Sequence, residues 1–203
     1  MIIKILILML FQTGFARTSQ DILKDMTLTY SNVEFMKTNY EKSEISELLG
    51  DETKTKGRIE YSKGRIRIEE DAKTQNIFIK NKKNFWHLQD NHQVLTGSTK
   101  SSMPTIFELM FEDPKVWDEL SSSITGMNGD EVDLKIFVNG KIPNVNILYA
   151  TVNTTKRRFE KLSFTDDIGN KTEVVFKKTS FFRKAPDERF TYTIKPKDKV
   201  TRM

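Results

Sequence analysis

The chain contains no cysteine. That absence excludes a disulfide framework, a thiol nucleophile, a thiolate metal cluster and a lipid-modified cysteine anchor, so the domain must be held together by its core. Histidine is nearly as scarce. His87 and His92 are the only two, and five residues apart on a continuous strand they would face opposite sides, so neither a metal site nor any cofactor is expected. Glycine is sparse as well, and no phosphate-cradling loop occurs. Serines are present without a nucleophile-elbow sequence, and Ser121-Ser122-Ser123 reads as the end of a helix. Asp166 and Asp167 are adjacent carboxylates, but ahead of Gly169 they read as turn formers. No enzyme is expected from such a set. Long apolar runs are missing too: crossing a bilayer takes about 20 apolar residues, and the run over residues 5–11 is bounded by Lys4 on one side and by Gln12 and Thr13 on the other.

What is present begins with a leader. Lys4 supplies a positive n-region, residues 5–11 an apolar h-region, and Gly14-Phe15-Ala16 places small residues at the positions read by a signal peptidase. Residues 1–16 are therefore expected to be a cleaved signal peptide and residues 17–203 a single exported domain, with a bacterial periplasm as the simplest location. Removing 16 of the 203 residues leaves 187, a length that suits one domain with a substantial core. Lys and Arg outnumber Asp and Glu by 33 to 28, a formal charge of +5. Loss of Lys4 leaves +4, a mild excess dispersed along the chain, and with no groove-reading motif nucleic acid is not an expected partner. Fourteen Phe and eight Met can fill irregular space and suit surfaces that repack around different ligands.

Periodicity then gives the order of elements. Ile22, Leu23, Met26, Tyr30 and Val33 recur at helical spacing behind Ser19 or Asp21 as cap. Residues 33–46 alternate as a long, partly polar strand, broken by the polar stretch 50–54. Short strands follow: Ile59 and Tyr61 share a face, Ile66 and Ile68 share one opposite Arg65, Arg67 and Glu69, and residues 76–80, 84–88 and 93–96 continue as an antiparallel meander. Pro104 opens a short helix carrying Ile106, Phe107 and Met110, and Asp113-Pro114 a second carrying Val116, Trp117 and Leu120. Beyond a flexible Gly126-Met127-Asn128-Gly129, strands are expected at 133–138, 145–152, 159–165 and 172–178, with a hairpin turn over 166–170, and a last strand at 190–194 ahead of a basic tail. The fold class is mainly β with added helices: an antiparallel sheet of roughly ten strands, large enough to curl, with three amphipathic helices to cover its concave face. Periodicity leaves open whether that interior is packed solid or holds a ligand.

The order of these signals resembles a known family. The strand Gly57-Arg58-Ile59-Glu60-Tyr61 leading into Lys63-Gly64-Arg65-Ile66-Arg67-Ile68, then Asn84-Phe85-Trp86-His87-Leu88 and Asn91-His92-Gln93-Val94, is similar to the periplasmic outer-membrane lipoprotein carriers, the LolA family. Met103-Pro104-Thr105-Ile106-Phe107-Glu108-Leu109 matches the family's small lid helix. The stretch from Leu162 through Asp166-Asp167-Ile168-Gly169-Asn170 to Thr172 resembles its D-x-x-G-x-x-T hairpin, and 185–200 its closing strand and tail. One departure stands out: members carry Arg-Pro, whose arginine bonds lid backbone, where this chain has Lys63-Gly64, and aromatics where it has Ile66 and Ile68. Lysine offers a point charge rather than a planar fork of donors.

The resemblance implies an incomplete β-barrel closed by a helical lid over an apolar cavity, in a monomeric carrier that takes acylated lipoproteins from an inner-membrane lipoprotein-releasing ABC transporter toward an outer-membrane lipoprotein receptor. Hiding acyl chains has a clear physical motive: at about 0.8 kcal/mol per CH₂, three chains of around 16 carbons would cost on the order of 35–40 kcal/mol bare in water. Cavity residues would be Ile22, Leu23, Met26 and Tyr30 on the first helix; Ile59, Tyr61, Ile66, Ile68, Trp86 and Leu88 on strands; and Ile106, Phe107, Met110, Trp117 and Leu120 on the lid. Lid control would fall to Lys63 or to a displaced Arg65. A lipid- or glycolipid-binding or envelope-sensing module on the same scaffold is the alternative.

Overall fold

The computed structural model describes residues 17–71, 76–101, 106–111 and 114–203. The expected leader over residues 1–16, and with it the cleavage after Ala16, lies outside these residues, as do the Met103-Pro104-Thr105 start of the lid motif and Asp113.

Helix α1, Ser19–Ser31, starts one residue earlier than expected. Its cap is Thr18, whose hydroxyl accepts from the Asp21 amide while the Asp21 carboxylate accepts from the Thr18 amide, a reciprocal capping box. Ser19 is already helical, and its hydroxyl donates to the Ser122 carbonyl at 3.0 Å. Ile22, Leu23, Met26, Thr27 and Tyr30 form the buried stripe. Val33 falls beyond the helix, which closes at Asn32.

Twelve strands among the described residues make one sheet. In chain order they are β1 Phe35–Ile45, β2 Glu52–Ser62, β3 Arg65–Glu70, β4 Asn76–Lys80, β5 Asn84–Gln89, β6 Gln93–Ser98, β7 Ser121–Asn128, β8 Glu131–Phe137, β9 Val145–Asn153, β10 Arg158–Asp166, β11 Lys171–Phe182 and β12 Lys199–Arg202. The spatial order is β12-β6-β5-β4-β3-β2-β1-β11-β10-β9-β8-β7, and the end strands β12 and β7 do not pair, so the barrel is incomplete. Neighbours run antiparallel except β12, which lies parallel to β6. Short helices α2, Ile106–Leu109, and α3, Pro114–Asp118, sit between β6 and β7. Among the described residues no helix is long and apolar enough to cross a membrane.

Three expectations are corrected. Ser121-Ser122-Ser123 opens β7 rather than ending a helix, and Gly126-Met127-Asn128 belongs to that same strand. Its ladder to β8 holds it, with a register shift between Ile124 and Gly126. Residues 190–194 form no ladder: a 3-10 turn over Asp187–Phe190 passes into extended chain, and the closing strand is β12 in the basic tail. The Asp166 hairpin is as expected, with the Asp166 carboxylate accepting from the amides of Ile168 and Asn170 and Gly169 at φ +89°.

The main core fills the concave face. α1, α3 and the inner faces of β8–β11 meet there around Leu23, Met26, Trp117, Leu134, Val152 and Phe159. The Tyr30 hydroxyl accepts from the Phe159 amide at 3.0 Å, fixing α1 to β10. A satellite core of Ile79, Trp86, Leu88 and Val94 lies on the convex side, covered by Tyr192 and Val200. The convex side also carries a charge network. Glu60, only 1% exposed, receives Arg189 Nε at 2.7 Å and Lys37 Nζ at 3.2 Å, while Arg189 Nη2 reaches Glu69 at 2.9 Å. These bonds hold the Asp187–Phe190 turn to β2 and β3.

Candidate functional site

Alternation along β1 and β3–β6 decides what faces the concave side. Even-numbered residues of β1, β3 and β4, and odd-numbered residues of β5 and β6, point inward. Near the middle of the sheet this face is apolar. Toward the ends of β1 and β3 it becomes polar. The two regions together line a cavity of ≈490 Å³, within the size range of small-molecule sites.

Its apolar wall is Ile68, Phe78, Phe85, Leu95, Phe164, Val174 and Met203, roofed by Ile106 and Phe107 of α2. Aromatic contacts seat the roof. Phe107 packs on Tyr40 at 5.2 Å and on Phe176 at 6.4 Å between ring centroids. Phe111 stacks flat on Tyr61, centroids 3.9 Å apart at 7°. The Trp117 indole donates to the Leu109 carbonyl at 3.0 Å, linking α3 to α2. Lys80 on β4 pairs with Glu108 on α2.

The polar wall is a hydrogen-bonded belt drawn from four strands, β1, β3, β4 and β5. His87 Nε2 lies 2.7 Å from Asn76 Oδ1, Asn76 Nδ2 donates to Glu70 at 2.5 Å, Lys42 Nζ donates to Glu70 at 2.8 Å, and Glu44 lies 3.1 Å from the same ammonium. Burial pulls the Lys42 ammonium down, but the bond it donates to Glu70 and the charges of Glu44 and Glu70 outweigh this and raise its pKa. Burial holds His87 below the usual imidazole range, with the Glu70 charge opposing. Burial, reinforced by the Glu70, Asp71 and Glu44 charges, pushes the Tyr40 hydroxyl far up, so it remains a donor.

The sequence-derived candidates divide by position. Ile68, Ile106 and Phe107 line the cavity. Ile22, Leu23, Met26, Tyr30, Ile59, Tyr61, Ile66, Met110, Trp117 and Leu120 belong to the packed concave core beside it. Trp86 and Leu88 point the other way, into the convex satellite core. Lys63 and Arg65 are engaged elsewhere than the lid. Lys63 pairs with Glu34 at 2.6 Å in the exposed turn after β2, while Arg65 donates to Ser62 and to Asp187 and lies 4.8 Å over the Phe190 ring. The polar bridge to α2 comes from Lys80 instead, and only its sequence position opposite a lid Glu could have suggested it. Lys42, Glu44, Glu70 and Asn76 were missed because a polar residue on a strand's inner face reads as a strand end.

A family profile described as outer membrane lipoprotein carrier protein LolA matches residues 31–193. The chain belongs to the LolA family. Its open twelve-stranded sheet and short roof helices are the incomplete barrel and helical lid expected of that family. Three solved structures are similar to this chain. A DUF1329 family protein from Desulfovibrio piger is 9% identical with a TM-score of 0.51, covering 85% of this chain and 95% of that one. The MucB chain of the Pseudomonas aeruginosa MucA/MucB complex is 7% identical with a TM-score of 0.50, covering 86% and 60%. The LolA superfamily protein NE2245 from Nitrosomonas europaea is 11% identical with a TM-score of 0.45, covering 87% and 99%. Comparison with curated proteins returns no match.

Proposed function

We propose that this LolA-family chain is a periplasmic, non-enzymatic carrier of acylated lipoproteins. The observation that carries the reading is the cavity: an apolar wall of strand residues under a roof formed by the short helix α2, which α3 braces. Helices of four and five residues are too short to be stable alone, so the roof is held by Phe107, Phe111, the Trp117 bond and the Lys80–Glu108 pair. Each of these contacts can be exchanged for contacts to a ligand. A roof of this kind opens at modest cost, and an opened roof joins the cavity to the methionine- and phenylalanine-rich core beside it.

In this reading an inner-membrane lipoprotein-releasing ABC transporter supplies the cargo and an outer-membrane receptor takes it. The protein acts as a monomer, and no cofactor takes part. Expressing the full chain, releasing it from spheroplasts and weighing the intact complex by native mass spectrometry tests the idea. A stoichiometric acylated polypeptide is expected. Recovery of the protein with no acylated partner from cells that contain such polypeptides sinks it.

The second reading, an envelope-sensing module that docks a protein segment, takes its support from the likeness to MucB, solved as a complex with MucA. A non-acylated polypeptide in the same experiment would favour it.

A further inference from the structure

The polar belt is out of place if the cavity's ligand is only hydrocarbon. Glu44, Lys42, Glu70, Asn76 and His87 stand on the inner face and line the same cavity as Phe78 and Phe85. They satisfy one another, but with an imbalance of charge: two carboxylates, Glu44 and Glu70, share the single ammonium of Lys42. Asn76 and a neutral His87 add none. The belt is therefore net negative by one charge.

Behind the belt the wall is dry. The Tyr40 hydroxyl is buried and has no hydrogen-bond partner among the described residues. Tyr40, Gly57 and Glu70 occupy one row across β1, β2 and β3, and the Tyr40 ring lies over Gly57 and against Phe107 of the roof. An unpaired donor thus sits next to the belt and beneath the roof. The hydroxyl is closed off over Gly57 and Tyr40 does not line the cavity, so the donors a ligand meets are those of the belt itself.

We infer that the belt selects amphiphiles whose acyl chains end in an uncharged ester or amide linkage and turns away those ending in an anion. This deepens the carrier reading and rests on it. An ester or amide carbonyl can accept from Lys42, which lines the cavity, without disturbing the carboxylates. A fatty-acid carboxylate or phosphodiester placed at the same depth faces Glu44 and Glu70 in a partly desolvated wall, where repulsion is screened far less than at the open surface.

The test uses the full chain and the neutral fluorophore N-phenyl-1-naphthylamine as cavity probe, displaced at pH 8 by monopalmitoylglycerol or by palmitate, both below their aggregation concentrations. The neutral monoester should displace the probe at a concentration about tenfold lower than palmitate, as expected for one unbalanced charge. Glu44→Gln and, separately, Glu70→Gln should each shrink that gap at least threefold, while Lys42→Met should widen it. Two variants guard against loss of folding in one, and thermal melting identifies either. Equal displacement in the unsubstituted protein, or a gap unchanged in both carboxamide variants, overturns the selectivity and leaves the carrier reading standing. Failure of both lipids to displace the probe overturns both.

Discussion

Lys80 on β4 and Glu108 on α2 meet with Nζ 2.5 Å from Oε1, both side chains largely out of water. The pair joins the sheet to a four-residue helix that has little intrinsic stability. Lys80→Met should destabilise the protein by about 1–3 kcal/mol, the scale of a lost charged hydrogen bond, and speed amide hydrogen exchange across residues 106–111. The double variant Lys80→Met/Glu108→Leu should regain most of the loss, because an apolar pair removes the uncompensated charge. Slowed or unchanged exchange in Lys80→Met would show that the ion pair does not hold the roof.

Trp117→Phe separates hydrogen bonding from packing in the same roof. Phenylalanine keeps a ring in the core but strands the Leu109 carbonyl that the indole satisfies at 3.0 Å. A loss of about 1–3 kcal/mol is expected, and for a domain of this size each kcal/mol lowers Tm by about 2–4 °C. Trp117→Ala should cost more, about 3–5 kcal/mol, through the void it leaves. Equal melting temperatures for Trp117→Phe and the unsubstituted protein would remove the indole bond from the account.

The strands β2–β5 and β8–β11 were legible because one face of each is apolar and a period of two then locates them. What escaped is instructive. β7 buries no side chain fully, and β12 offers only Val200, partly covered. Both are edge strands held by backbone pairing, which leaves no pattern in the side chains. On β5 the run Phe85-Trp86-His87-Leu88 is apolar on both faces, because the sheet is covered there on both sides, by the cavity roof within and by Tyr192 and Val200 without. Alternation alone therefore assigns Trp86 and Phe85 to opposite faces without saying which is the inner one. The Glu60–Arg189 bond spans 129 residues of sequence, and neither residue has a local signal of burial or partnership.

That ambiguity on β5 is itself testable. Phe85→Ala should weaken binding of the neutral probe severalfold, since the ring lines the cavity. Trp86→Phe, on the convex side, should lower Tm with probe affinity unchanged. Fluorescence titration of the two variants gives the answer, and the reverse pattern would place the site on the other face.

Gly57 is required by a close approach rather than by a turn. A Cβ there would stand 2.5 Å from both the Glu69 carbonyl oxygen and the Tyr40 ring. Gly57→Ala should thus destabilise by about 1–3 kcal/mol or more through overpacking. Tyr40→Ala cannot rescue it fully, because the backbone oxygen of β3 stays in place. Additive or partly compensating melting shifts are expected for the double variant, and complete recovery would locate the whole clash in the tyrosine.

The network on the convex side predicts how stability responds to acid. Burial raises the Glu69 carboxyl, but the Arg67 hydrogen bond and charge, with Arg58 and Arg189 beside it, more than offset this and hold it below its ordinary value of 4.5. A group depressed in the folded state contributes stability that is present above its unfolded value and is lost as pH falls through its folded value. Melting temperature should therefore decline as pH drops below about 4.5, and the decline should be shallower in Glu69→Gln, which has no proton to take up there. The first region to loosen should be the Asp187–Phe190 turn, since Arg189 reaches both Glu69 and Glu60. Hydrogen exchange at pH 7 and pH 4 reads this directly: earlier loss of protection in α1 than in residues 187–190 would mean that the clamp is not the acid-sensitive element. With the turn released, Tyr192 would no longer be held over Trp86, Leu88 and Val94, so tryptophan emission should shift to the red in the same pH interval.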